Sequence, residues 1–269
     1  MTRVLSGAAM LLLAVGVVGY APPLAFLIAG EVLLLLGAFE LGRLTEALRL
    51  GVPFWPSLAV AILACAMFST TVVAVDLPLD GVLLVGLAAV GVFALSAWRG
   101  DLASMGTAAK TLLPAVYLGL PLGALVATRE RYGVAALFLL MLTVIVSDTS
   151  QYYTGRLLGR RPLAPAISPK KTVEGAIGGV VFGTLFVAVA GAWWLPEMSR
   201  LLRVILGLAV VVLGICGDLF ESLLKRRAGV KDSASWIPGH GGVLDRIDAL
   251  LFAAPFYYVV LAYVGSADQ

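Results

Sequence analysis

Apolar runs long enough to cross a bilayer recur along the whole of this chain, and they constrain its fold more than any other feature. Nine can be marked, at about 4–20, 23–42, 57–75, 79–98, 111–128, 133–154, 174–195, 202–220 and 244–264. A run of roughly 17–25 apolar residues spans a hydrocarbon layer about 30 Å thick. Backbone polar groups in lipid must be paired within the segment or within a closed barrel. Runs of this length without two-residue alternation therefore read as helices. Composition agrees: 61% of the 269 residues are hydrophobic and 13% are charged, where soluble domains carry about 25% charged residues. Mean hydropathy is +1.01. The expected fold is an all-α, polytopic integral membrane protein, with no water-soluble domain.

The first run follows Arg3, and a second begins at once after Pro22-Pro23. The pair reads as a retained helical hairpin and not as a cleaved leader. Cys65 and Cys216 both lie in apolar segments, without the spacing of a disulfide framework or a metal site. The glycines of GAIGGVVFG (175–183) read as helix-packing positions, because small residues let helix backbones approach in lipid.

Nine crossings place alternate loops on opposite sides. One side collects Arg3, Arg43, Arg49, Arg99, Lys110, Arg156, Arg160, Arg161, Lys170, Lys171, Lys225, Arg226, Arg227, Lys231 and Arg246. The other receives Arg129, Arg131, Arg200 and Arg203. By the positive-inside rule the richer side is cytoplasmic, which puts the N-terminus inside and the C-terminus outside. The whole chain, 1–269, reads as one membrane domain, with N-terminal helices over about 1–130 and functional helices and loops over about 131–269. The two longest polar stretches, 155–172 and 221–243, both fall on the cytoplasmic side. No internal repeat is visible, so nothing marks the inverted halves common in transporters.

Ionisable residues concentrate in 214–248, GICGDLFESLLKRRAGVKDSASWIPGHGGVLDRID. Asp218 stands at the end of an apolar helix, where a carboxylate is costly and points to a pore, a proton relay or a bound cation. On a continuing helix Asp218, Glu221, Ser222 and Lys225 share a face, as do Asp245 and Asp248 at the start of the last helix. Carboxylates without His or Cys companions suit a hard cation, commonly Mg²⁺ with substrate phosphates. Lys225, Arg226, Lys231 and Arg246 surround them. Any one basic residue reads as an interfacial anchor. Acids that hold a metal beside bases that hold phosphate oxygens are the two halves of a phosphoryl- or nucleotidyl-transfer site. The loop Pro238–Gly242 contains His240, the chain's one histidine, whose readings are structural or proton-transferring.

A second stretch, 147–175, places Asp148, Tyr152 and Arg156 four residues apart on one helix face. It then runs through Ser168-Pro169-Lys170-Lys171-Thr172 into a helix. Basic side chains beside free amides at a helix start form an anion site.

Together these residues carry a resemblance. Gly217-Asp218-Leu219-x-Glu221-Ser222, Lys225-Arg226, Lys231-Asp232, His240-Gly241-Gly242 and Asp245-Arg246-x-Asp248 are similar to the signature of bacterial CDP-diacylglycerol synthases, the phosphatidate cytidylyltransferases. The upstream pattern Asp148…Gly155-Arg156…Gly159…Ser168-Pro169-Lys170-Lys171-Thr172-x-Glu174-Gly175 matches as well. The strong match covers about the C-terminal half. The N-terminal half resembles the family mainly in hydrophobic profile. The Asp-Gly-x-x-Ala-Arg element of CDP-alcohol phosphotransferases is absent from the sequence.

The resemblance implies transfer of a cytidylyl group from CTP to phosphatidic acid, giving CDP-diacylglycerol and pyrophosphate for phospholipid synthesis. It implies Mg²⁺ and leaves room for a second metal ion. Asp218 and Asp245 would then be metal ligands and Asp248 either a third ligand or a carboxylate supporting them, with Lys225 and Arg246 beside them in the catalytic group. Asp148, Lys170, Lys171, Ser222, Arg226, Lys231 and His240 would bind substrate. The implied setting is the inner (plasma) membrane, multi-pass, with the site facing the cytoplasm. The implied partners are CTP, phosphatidic acid and the bilayer, with no nucleic acid, and a homodimer is expected. The alternative is a polytopic transporter with an acidic cation site at the cytoplasmic boundary. Its ionisable residues should lie near mid-membrane, whereas here they gather at one boundary.

Overall fold

The computed structural model describes residues 2–72, 110–236 and 241–267. Helix α1 (Thr2–Tyr20) is followed by α2 (Pro23–Ala47) and α3 (Phe54–Ala66). A π-helical turn (Ala115–Gly119) leads into α4 (Leu120–Leu158). Two short strands, β1 (Pro162–Ala164) and β2 (Ser168–Thr172), precede α5 (Val173–Trp194), α6 (Arg200–Arg227) and α7 (Leu244–Ala267). Among the described residues five helical stretches are long and apolar enough to cross a membrane: Pro23–Ala47, Ala115–Leu158, Val173–Trp194, Arg200–Arg227 and Leu244–Val264. The apolar helices of α1 and α3 are shorter. The expected segment at 79–98 lies outside the described residues.

Pro22 is extended and Pro23 opens α2, so the proline pair divides α1 from α2 as its lack of a donor and fixed φ require. The 44-residue stretch Ala115–Leu158 would be roughly 66 Å long as a straight helix at about 1.5 Å per residue, twice the hydrocarbon thickness. It is broken at Gly133, whose φ of 84° and ψ of 174° lie outside helical space. Before the break Arg129 donates from its guanidinium to the carbonyls of Val18 and Ala21, and its cation lies over the Phe26 ring. Glu130 accepts from the hydroxyls of Ser69, Thr70 and Thr71 and from the Thr70 amide. These contacts tie the break to the α1–α2 junction and the end of α3. Tyr117, earlier in the stretch, packs against Phe220 and Phe252 near the opposite end, and Asp148 returns to that same end. The chain therefore reverses at Gly133, as the separate segments 111–128 and 133–154 lead one to expect.

The polar stretch 155–172 holds a feature that the all-α expectation lacks. β1 and β2 form an antiparallel pair, Pro162 opposite Thr172 and Ala164 opposite Ser168. Pro162, Pro165 and Pro169 punctuate this stretch and disfavour a continued helix. Thr172 then caps α5 by accepting from the Gly175 amide at 3.1 Å. α5 lies so close on α4 that a Cβ at Gly178 would strike Thr154, and one at Gly179 would strike Gln151. The packing reading of the 175–183 glycines holds at these positions.

A valine at position 133 would be forced into a backbone region open to glycine. Gly133→Val should lower stability by about 1–3 kcal/mol, measured as the denaturation midpoint of detergent-solubilised protein. An unchanged midpoint would contradict the reversal described.

Candidate active site

The α4 C-terminus, the β-hairpin, the N-termini of α5 and α7 and the α6 C-terminus meet at one end of the bundle around a cavity of about 600 Å³. Its wall carries seven basic side chains, Arg156, Lys170, Lys171, Lys225, Arg226, Lys231 and Arg246, and five acidic ones, Asp148, Asp218, Asp232, Asp245 and Asp248. Ser222 and Tyr152 also line it. Eleven of the twelve site residues expected from the sequence thus meet in one place. The twelfth, His240, lies outside the described residues.

Helical spacing accounts for most of this. From α4, Asp148, Tyr152 and Arg156 project into the cavity as their four-residue spacing requires, and Arg156 donates to the Tyr152 hydroxyl at 3.4 Å. Gln151 donates to Asp148 at 3.0 Å. From α6, Asp218, Ser222 and Lys225 reach the cavity, and the Ser222 hydroxyl is 3.4 Å from Asp218. Glu221 does not line it. It is wholly buried and takes Lys225 at 2.6 Å. Arg226 donates to the Ile167 and Val230 carbonyls, both at 3.2 Å, and so joins the hairpin turn to the end of α6.

Three ion pairs, centred on two lysines, organise the charges. Lys171, from β2, bonds Asp218 across the cavity. Lys225 bonds both Glu221 and Asp245. A lysine held between two largely buried carboxylates is far less dispensable than a surface pair, because deleting it leaves uncompensated charge. Asp245 is the most heavily engaged acid. Its Oδ2 accepts from the Ser233 amide (3.0 Å), the Ser233 hydroxyl (2.9 Å) and the Gly242 amide (2.8 Å), while Oδ1 takes Lys225. Asp148, Asp218 and Asp248 repel one another electrostatically.

Glycines make the loop before α7 compatible with this. Gly241 has a φ of 77°, and a Cβ there would press on Asp245. A Cβ at Gly242 would overlap the Ser233 hydroxyl and the carboxylate of Glu40. Glu40 is the functional-site neighbour that sequence reasoning missed. It comes from α2, far from the motif-bearing half, yet it reaches the start of α7. The signal was present: a carboxylate inside the apolar run 23–42 deserved the reading given to Asp218.

The donor set suits a hard cation. It consists of carboxylate and hydroxyl oxygens, and neither cysteine of the chain lines the cavity. Mutually repelling acids are the charge distribution that a divalent cation relieves. Among the described residues no group of three or more His, Cys, Asp and Glu encloses a metal by itself. Mg²⁺ commonly takes one or two carboxylates and completes its shell with water and substrate phosphates.

This site belongs to a helical membrane protein that brings a metal-suited acid cluster and a phosphate-suited basic cluster into one cavity. Residues 1–264 match the model of the cytidylyltransferase family, and the chain belongs to that family. It is 38% identical over 155 residues to a phosphatidate cytidylyltransferase of Helicobacter pylori (strain J99), covering 58% of each chain. It is 43% identical over 125 residues to one of Aquifex aeolicus, covering 46% of each. To one of Synechocystis it is 46% identical over 132 residues, 48% of this chain and 44% of that one. The matches thus span about half the length of these curated relatives.

Replacing Lys225 by Met strips the counter-charge from Glu221 and Asp245. Stability should fall by about 3–5 kcal/mol, and adding Glu221→Gln should restore part of it. A denaturant titration in detergent reads both, and a neutral Lys225→Met would refute the buried pairing.

Proposed function

We propose that this protein transfers a cytidylyl group from CTP to phosphatidic acid, releasing pyrophosphate and forming CDP-diacylglycerol. One observation carries the reading: in a member of the cytidylyltransferase family, the acidic and basic residues of the motif line a single cavity at one end of apolar helices. Relatives named phosphatidate cytidylyltransferase support the choice of lipid acceptor.

An oxygen of the phosphatidate phosphate forms a bond to the α-phosphorus of CTP, and the bond from that phosphorus to the β-phosphate oxygen breaks. The acceptor is already ionised, so no protein nucleophile is required. The obstacle is repulsion between two anions, and catalysis is positioning with charge neutralisation. Lys170, Lys171, Arg156, Arg226, Lys231 and Arg246 supply positive charge around the cavity, and Ser222 supplies a hydroxyl donor. Lys171 is poised to exchange Asp218 for a phosphate oxygen. Asp218 and Asp248 would hold Mg²⁺, with Asp245 beside them engaged by Lys225, Ser233 and Gly242. The ion, when bound, stabilises negative charge on the departing pyrophosphate. Asp148 adds to the local negative field.

The Lys and Arg distribution supports nine crossings with the N-terminus and the cavity on the cytoplasmic side of the inner membrane. The family resemblance supports a homodimer. Transport is disfavoured by the placement of the charges at one end of the helices.

Purified protein given phosphatidic acid, labelled CTP and Mg²⁺ should carry label into the lipid phase, and EDTA should abolish it. Asp218→Asn and Asp248→Asn should each slow the transfer by about 100-fold or more. Full activity in both variants would overturn the residue assignment. Well-folded protein that labels no lipid would overturn the reaction and favour an ion-flux assay.

A further inference from the structure

Glu40 lies in α2 with no solvent exposure. Among the described residues its polar partners are donors from the loop before α7 and from the start of that helix. Oε1 accepts from the Val243 amide at 2.8 Å, and Oε2 accepts from the Leu244 amide and the Ser233 hydroxyl, each at 2.8 Å. Amides at a helix start have no partner within the helix and favour a negative group. Here that group is supplied from a helix about two hundred residues earlier in the chain. The immediate passengers of this helix start are Asp245 and Asp248, both on the cavity wall.

The Ser233 hydroxyl makes the connection tighter. It stands 2.8 Å from Glu40 and 2.9 Å from Asp245, so the two carboxylates share the one proton of this hydroxyl. Asp245 in turn holds Lys225. A continuous chain of polar contacts therefore runs from Glu40 through Ser233 and Asp245 to Lys225, while the backbone bonds of Glu40 fix the helix that carries Asp248. Gly242 leaves the space that Glu40 and Ser233 occupy.

We propose that Glu40 is a positioning residue for cytidylyl transfer: from the N-terminal half of the chain it sets the start of α7, and so the placement of Asp245 and Asp248. The proposal rests on the transfer reading given above. It assigns α2 a part in the reaction although Glu40 is buried and does not line the cavity. Glu40→Gln keeps the shape of the side chain but turns one acceptor into a donor facing donors. Ser233→Ala removes only the bridge and leaves both backbone bonds of Glu40 in place.

The test compares steady-state transfer and amide hydrogen exchange in wild-type protein, Glu40→Gln, Ser233→Ala and Gly133→Val, all in detergent and normalised to folded protein. Gly133→Val is the control for loss of stability at a distance from the cavity. Misplacement of reacting groups by about 1 Å costs roughly 100-fold. A kcat fall of about that size is expected in Glu40→Gln, and about tenfold in Ser233→Ala. Faster exchange of the Val243 and Leu244 amides should accompany the Glu40→Gln loss, and Gly133→Val should keep its kcat. Unchanged kcat in Glu40→Gln, or a loss matched by Gly133→Val, would overturn the positioning role while leaving the transfer reading intact. Wild-type protein that labels no lipid would overturn both.

Discussion

Charge at the edge of a hydrocarbon layer must be neutralised where it stands, and the Lys225 ammonium does this where α6 meets α7. It sits between Glu221, which is wholly buried, and Asp245, which organises the loop into α7. Remove that cation and two acids on different helices lose their shared partner. In a weakly screened setting the loss is large. The junction joins α6 to α7 through Asp245, while Gly241 and Gly242 leave room for that carboxylate and for Glu40.

The same constraint explains why the cavity contains both signs of charge. On the proposed function, a nucleotide and an anionic lipid bring negative charge with them. A protein that held only bases would bind them without relieving repulsion at the departing group. One that held only acids would repel them. The pairing of Lys171 with Asp218 offsets one charge of each sign across a cavity whose wall carries more bases than acids. Helix packing serves this chemistry. The close approach at Gly178 and Gly179 brings α5 against α4, so that Asp148 and Arg156 face the hairpin lysines across the cavity.

Much of this was legible in the sequence because helical spacing converts directly into shared faces. The three-to-four-residue intervals of Asp148, Tyr152 and Arg156, and of Asp218, Ser222 and Lys225, placed those side chains together correctly. The apolar runs marked the helices, and the proline pair marked the first junction. Other features depend on contacts between distant segments, which one-dimensional spacing does not report. Glu221 shares a helix face with Asp218 in projection, yet it is buried beneath Lys225. The 162–172 hairpin arises from proline-rich sequence that reads as polar loop until Pro162 and Thr172 are seen opposite each other. Glu40 meets its partners across about two hundred residues of chain, although its carboxylate in an apolar run was itself a sign.

The central claim is that metal and triphosphate meet inside this one cavity. Crystals of the protein soaked with Mn²⁺ and CTP test it directly, because Mn²⁺ scatters anomalously and marks its own position. The account predicts an anomalous peak beside Asp218 and Asp248, with the triphosphate running toward Lys170 and Lys171. Nucleotide and metal bound elsewhere, such as the apolar cavity between α2 and α3, would contradict it.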